Sequence, residues 1–210
     1  MHQSAFPNAV TEVVPYGPNV RALAVHLTHG QLLPLARSAQ LVSVLYGLSV
    51  SSGTVHTWGN QAAGLLRPEV ACIARSLIGL PVAHADESGL RVASRLHWLH
   101  TVASDQLTWH GEHAQRGLPA FKDHGILTYL MGTAVHDCWG PHWRGLCEHG
   151  LCNAHLLRAL TFERETTRQR WPKRIIEPLI RSRDYCEAAR QTGAPALSAW
   201  CYWGSKSASF

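Results

Sequence analysis

From Gln31 to Tyr46, in QLLPLARSAQLVSVLY, apolar residues recur at helical spacing, and Pro34 fits such a helix only in its first turn. Gly47 is a natural C-terminal stop. Leu48-Ser49-Val50 then leads to Ser51-Ser52, good N-caps for a second helix through Val55, Trp58, Ala62 and Leu65. Pro68 is expected to open a further helix to about Leu77. Ahead of these, residues 1–19 carry Pro7, Pro15 and Pro18 and read as an extended entry segment, with helix from Val20. After Pro81 the period changes. Val82–Asp86, Leu96–Val102 and Leu107–His113 read as strands, with Asp105-Gln106 as the turn between the last two. Gly117–Asp123 fits a short helix and Gly132–Asp137 another buried strand, followed by a helix near Trp139–Glu148 and a strand near Leu151–Asn153. From His155 to about Arg190 the text is helical and charge-rich, and residues 191–210 have no clear period. The pattern predicts a mixed α+β chain of helices, then a mixed sheet, then helices, without internal repeats.

Composition narrows the setting. A chain of 210 residues with 46% apolar content can bury a real core, as one large or two small domains. No run of 18 apolar residues exists, so no membrane partner is expected. The N-terminus, MHQSAFPNAV, lacks the basic and apolar regions of a secretory signal. The six cysteines fit no compact disulfide framework and are expected to be reduced thiols in a cytosol. A net charge of +5 with neutral histidines permits a polyanion partner without demanding one.

Three places offer chemistry. Asp86 and Asp137 each end an apolar strand-like run, and strands that neighbour each other would bring both carboxylates to one sheet edge. Hard cations such as Mg²⁺ take oxygen ligands and keep several waters, so two or three carboxylates suffice; ordinary strand-end turn formers are the alternative. The first half offers a helix-turn-helix whose second helix would present Ser52, Thr54, His56 and Thr57, with Arg21 and Arg37 as sparse basic support; the alternative is a plain helical hairpin. Cys147, His149, Cys152 and His155 have donor types that suit zinc, at a spacing unusual for a finger. The ten histidines from His84 to His155 accompany no evident Ser or Cys nucleophile arrangement.

The segments YGPNVRALAVHLTHGQLLPLARSAQLVSVLYGLSVSSGTVHTW, VAHADESGLRV with LHWLHTVASD, HAQRG, GTAVHDCW and CEHGLCNAHLLRALTF resemble, in order, bacterial insertion-sequence transposases of the IS-sixty-six type. The likeness runs from about Ala5 to about Arg183. It implies a DDE transposase acting on insertion-sequence ends and target DNA. It also implies a ribonuclease-H-like sheet, a helical insertion and a two-metal site for Mg²⁺ or Mn²⁺. By the same resemblance Asp86 (in HADESG) and Asp137 (in VHDCW) match the first two catalytic, metal-binding aspartates, with Glu87 outside the metal's direct ligands.

The implied organisation is an entry segment at 1–19, a helix-turn-helix-like DNA-binding region at 20–80, an incomplete catalytic core at 81–157, the start of a helical insertion at 158–190 and an aberrant tail at 191–210. The family's zinc module before this region and its third acid, a Glu in a DNNxAER-like stretch, have no match, so truncation at both ends is expected. Transposition chemistry is then expected to be absent from the chain alone. The alternatives are a DNA-binding remnant without catalysis, and an unrelated metal-dependent nuclease using Glu163 as third ligand. Another copy or an intact transposase is a further expected partner, in a bacterial, nucleoid-associated, cytoplasmic setting.

Overall fold

A computed structural model describes residues 16–193. The first 15 residues of the expected entry segment and positions 194–210 of the expected tail lie outside the described residues. The chain divides at Cys72/Ile73 into two compact units.

The first unit is helical. Helix α1 (Pro18–Val25) begins two residues earlier than the pattern suggested, with Pro18 in the first turn, where its missing N–H costs nothing. It widens into a π turn over His26–Gly30. Helix α2 (Leu35–Tyr46) starts after Pro34, which caps it rather than entering it, and stops at Gly47, left-handed at φ 66°. Ser51 caps helix α3 (Ser52–Ile78), its Oγ accepting the Thr54 N–H at 3.0 Å. The unit's core is Ala24, Ala39, Val42, Val55 and Trp58. Tyr16 packs edge-on against Trp58, with ring centroids 5.2 Å apart. The expected break at Pro68 does not occur, since α3 runs through it. Proline removes one bond to the Gly64 carbonyl, but Ala63–Cys72 are all exposed, so water can take that carbonyl.

The second unit holds the sheet. Strand β1 (Val82–Val92) is eleven residues long, so the expected end at Asp86 is wrong: Asp86 lies mid-strand. The inward alternation of Ala83 and Ala85 continues into Glu87, whose acid is met by buried partners described below. A two-residue turn, Ala93-Ser94, with φ 47° and 67°, reverses the chain into β2 (Arg95–Ala103). Strand β3 (Thr108–His113) completes an antiparallel run. After α4 (Leu118–His124) and the single-turn α5 (Ile126–Tyr129), β4 (Thr133–His136) pairs parallel to β1, and β5 (Glu148–Leu151) parallel to β4. The sheet order is β3-β2-β1-β4-β5.

Gly132 permits the β1/β4 approach, because a Cβ there would meet the Leu80 carbonyl oxygen at 2.3 Å. The expected helix near Trp139–Glu148 is only a 3₁₀ turn over Gly140–Arg144, and β5 occupies Glu148–Leu151 instead of 151–153. Proline and glycines leave no room for a longer helix there. Leu77, Ala83, Val102, Ile126, Leu130 and Ala134 form the apolar core on one side of the sheet. Helices α6 (Asn153–Thr167) and α7 (Trp171–Gln191) resolve the charge-rich stretch into two. Among the described residues no helix is long and apolar enough to cross a membrane.

Candidate active site at strands β1 and β4

The parallel ladder pairs Val82 with Thr133, Ala83 with Ala134 and His84 with Val135. Two residues beyond His84 is Asp86; two beyond Val135 is Asp137. The register therefore brings the two aspartates level on neighbouring strands, one inside its strand and one just past its end. Asp86 has a side chain 57% exposed. Its Oδ1 accepts the Glu87 amide at 2.8 Å, and its Oδ2 lies 3.9 Å from Nε2 of His155 in the first turn of α6. Asp137 is 28% exposed; its Oδ1 accepts the Trp139 amide at 3.1 Å and lies 3.3 Å from Nδ1 of His142. Each carboxylate thus keeps an oxygen with no hydrogen bond among the described residues.

The centre of the polar interior is Glu87, which sequence reasoning set aside. Its side chain is 2% exposed and accepts a 2.6 Å bond from Nε of Arg116. Its other oxygen faces Nδ1 of His100 at 3.4 Å and Nε2 of His142 at 3.7 Å, neither aligned as a hydrogen bond. Burial pushes this carboxyl up, but His100, the Arg116 bond and the charges of His142 and Arg116 outweigh it and hold it below its ordinary 4.5. His142 is pushed down by burial, with Glu87 and Asp137 opposing and His136 adding to the effect. The Arg116 guanidinium stacks 3.6 Å from the Trp139 ring centroid and 4.7 Å from that of Trp98. Gly117, at φ 76°, makes room: a Cβ there would meet the Trp139 ring at 2.8 Å. Glu87, Trp98, His100, Arg116 and Trp139 all lie in the segments that carry the resemblance, but no local pattern there joins them into one hub.

Two donor sets could hold a cation. Asp86 and Asp137 offer hard carboxylate oxygens, partly hydrated, which suits Mg²⁺ or Mn²⁺. His136, Asp137 and His142 also gather, with one ligand atom from each within 4.8 Å of the others. That set fits a metal poorly in this arrangement. Nδ1 of His136 bonds the Asp137 carbonyl, and its Nε2 lies 3.0 Å from Nδ1 of His149. The His136 and His142 rings are stacked 4.6 Å apart at 17°, so their in-plane lone pairs run side by side instead of converging. Cys147, His149, Cys152 and His155 do not gather as a metal group among the described residues. Glu163 lines a groove between α6 and α7 with Leu156, Leu160, Trp171, Ile175 and Leu179. An apolar cavity of about 120 Å³ lies behind His142, walled by Phe121, Leu127, Ala134 and Cys147.

In the helical unit Arg37, Ser52, His56 and Thr57 are exposed and Thr54 is half-buried. Several of these polar groups are engaged locally. Thr57 donates its hydroxyl to the Gly53 carbonyl at 3.0 Å, and His56 pairs with Asn60 at 3.1 Å. Trp58 is 5% exposed, with Tyr16 packed over it.

No curated protein matches the chain. The family model described as Transposase IS66 family matches residues 14–193, which spans both units and both aspartates. With this match over most of its length, the chain belongs to the Transposase IS66 family, and a transposase role follows from that membership.

Proposed function

We propose that the sheet unit is the ribonuclease-H-like catalytic core of a DDE transposase. In this reading Asp86 and Asp137 together hold Mg²⁺ or Mn²⁺ against a DNA phosphodiester. The observation that carries it is the register: strands β1 and β4 are parallel, and the ladder through His84 and Val135 extends to both aspartates. The sheet order β3-β2-β1-β4-β5, with β1–β2 and β2–β3 antiparallel and β1–β4 and β4–β5 parallel, supports the same reading. A divalent cation bound there would activate an attacking oxygen and stabilise the leaving one. The chain's own residues hold the two carboxylates ready. The Trp139 amide fixes Asp137 with His142 beside it, the Glu87 amide and His155 flank Asp86, and Arg116, paired with Glu87, packs on the Trp139 of the loop that follows β4.

The proposed DNA contacts of the helical unit are Arg37, Ser52, Thr54, His56 and Thr57, as a helix-turn-helix reading of α2 and α3 requires. Insertion-sequence ends and target DNA are the ligands in this proposal. Transposition chemistry needs a third carboxylate as well. Glu163 does not favour that role: it sits eight residues, about 12 Å of helix, beyond the His155 that lies against Asp86. We therefore expect the 210-residue chain to bind a divalent cation without cutting DNA. Purified chain incubated with end-containing duplex and Mn²⁺ tests this. No nicking is the expected result. Nicking that vanishes in both Asp86→Asn and Asp137→Asn would overturn the inactivity while supporting the two aspartates.

A further inference from the structure

Glu87 is a buried carboxylate, and one N–H of Arg116 answers it. Arg116 carries more than that task needs. A guanidinium has five N–H donors in a planar fork, and only Nε is used here; Nη1 and Nη2 have no partner among the described residues. The plane of the fork is fixed from two sides, by Glu87 at its Nε edge and by Trp139 and Trp98 over its faces. The side chain remains 29% exposed. A lysine would neutralise Glu87 equally well but could not be stacked and aimed in this way. The Trp139 that covers the guanidinium also donates its amide to Asp137. Arg116, in the segment between β3 and α4, is therefore packed against the loop that carries the second proposed metal ligand.

We propose that Arg116 is a DNA-phosphate-binding residue of the active site, its terminal amino groups receiving a phosphodiester beside Asp137 and Glu87 acting as its positioning residue. This rests on the reading of the sheet unit as a DNA-processing core. An oriented arginine fork suits a phosphate's paired oxygens, and stacking removes most of the ordering cost before the strand arrives. The pairing with Glu87 and the two ring contacts use Nε and the faces of the guanidinium, and leave its terminal edge for a further acceptor.

The test is duplex binding by the full chain in EDTA, between 50 and 200 mM salt, so that no metal contributes. A phosphate contact adds about 0.9 to the slope of log K against log salt. Arg116→Gln should therefore lose about 3.5-fold less affinity than wild type over that fourfold salt range. Arg116→Lys should keep the slope, as a point charge still meets the phosphate, but bind more weakly at every salt. If Arg116→Gln does not fold, Glu87→Gln/Arg116→Gln replaces it, with two neutral hydrogen-bonding side chains in place of a lone buried charge. An unchanged slope and affinity in the neutral variants would overturn the proposal, as would wild-type chain without salt-dependent binding. Asp86→Asn and Asp137→Asn, titrated separately with Mn²⁺, decide the metal reading. Failure there with an intact Arg116 slope effect would leave the phosphate site standing.

Discussion

The two units handle polar side chains in opposite ways. In the helical unit, core and chemistry are separate: Trp58, Val55 and Val42 are buried together, while Ser52, His56, Thr57 and Arg37 face water, and His56 and Thr57 bond neighbours one turn away. In the sheet unit they are interleaved. Glu87, His100, His136 and His142 lie within the interior, beside Phe121 and Ala134. The difference teaches where function can be changed without losing the fold. Exposed side chains that hydrogen-bond within one turn act almost independently, whereas buried groups that share partners are coupled and fail together.

Breaking the apolar side of the comparison should have the largest effect. Trp58→Ala removes the centre of the helical unit's core and should cost about 3–5 kcal/mol, read as a loss of helical signal on denaturant titration. On the polar side, Glu87→Ala leaves Arg116 without its partner. The expected cost is about 3 kcal/mol, at the lower end for a buried pair because Arg116 can reach water. The neutral Glu87→Gln/Arg116→Gln pair should recover much of it, and failure to do so would mean that the charges themselves are required. Ser51→Ala deletes the α3 cap and should cost about 1 kcal/mol in the same titration, with no effect on the sheet unit.

A pH series sharpens the contrast. His124 is pushed below its ordinary 6.5, first by burial, then by the charges of His100 and His113, with Asp123 and Glu112 opposing. The unfolded chain therefore takes up this proton before the folded one. The contribution of His124 to stability is complete above about pH 6.5 and is lost as pH drops towards the lower folded value. His124→Phe should flatten that part of the profile; an unchanged profile would assign the effect to other groups.

Much of this was legible in the sequence. The apolar runs that lead to Asp86 and Asp137 and the Ser51 cap followed from hydrophobic pattern and turn residues, although β1 continues past Asp86 to Val92. What escaped had a common cause. An acid pair inside β1 reads as a strand end, because nothing local announces that Glu87 will meet Arg116 from 29 residues away. His142 rides on a 3₁₀ turn with no period of its own, so only the fold brings it to Glu87 and Asp137. Pro68 signalled a break that exposure to water made unnecessary.

The central claim is that Asp86 and Asp137 act as one cation site, and Mn²⁺ binding followed by electron paramagnetic resonance tests it without requiring catalysis. Wild-type chain should bind Mn²⁺, Asp86→Asn and Asp137→Asn should each weaken it at least about tenfold, and the double variant should abolish it, as expected when each lost ligand or its support costs that much affinity. Undiminished binding in Asp86→Asn, with loss in Asp137→Asn and His142→Ala, would contradict the account and assign the ion to the His136, Asp137 and His142 group instead.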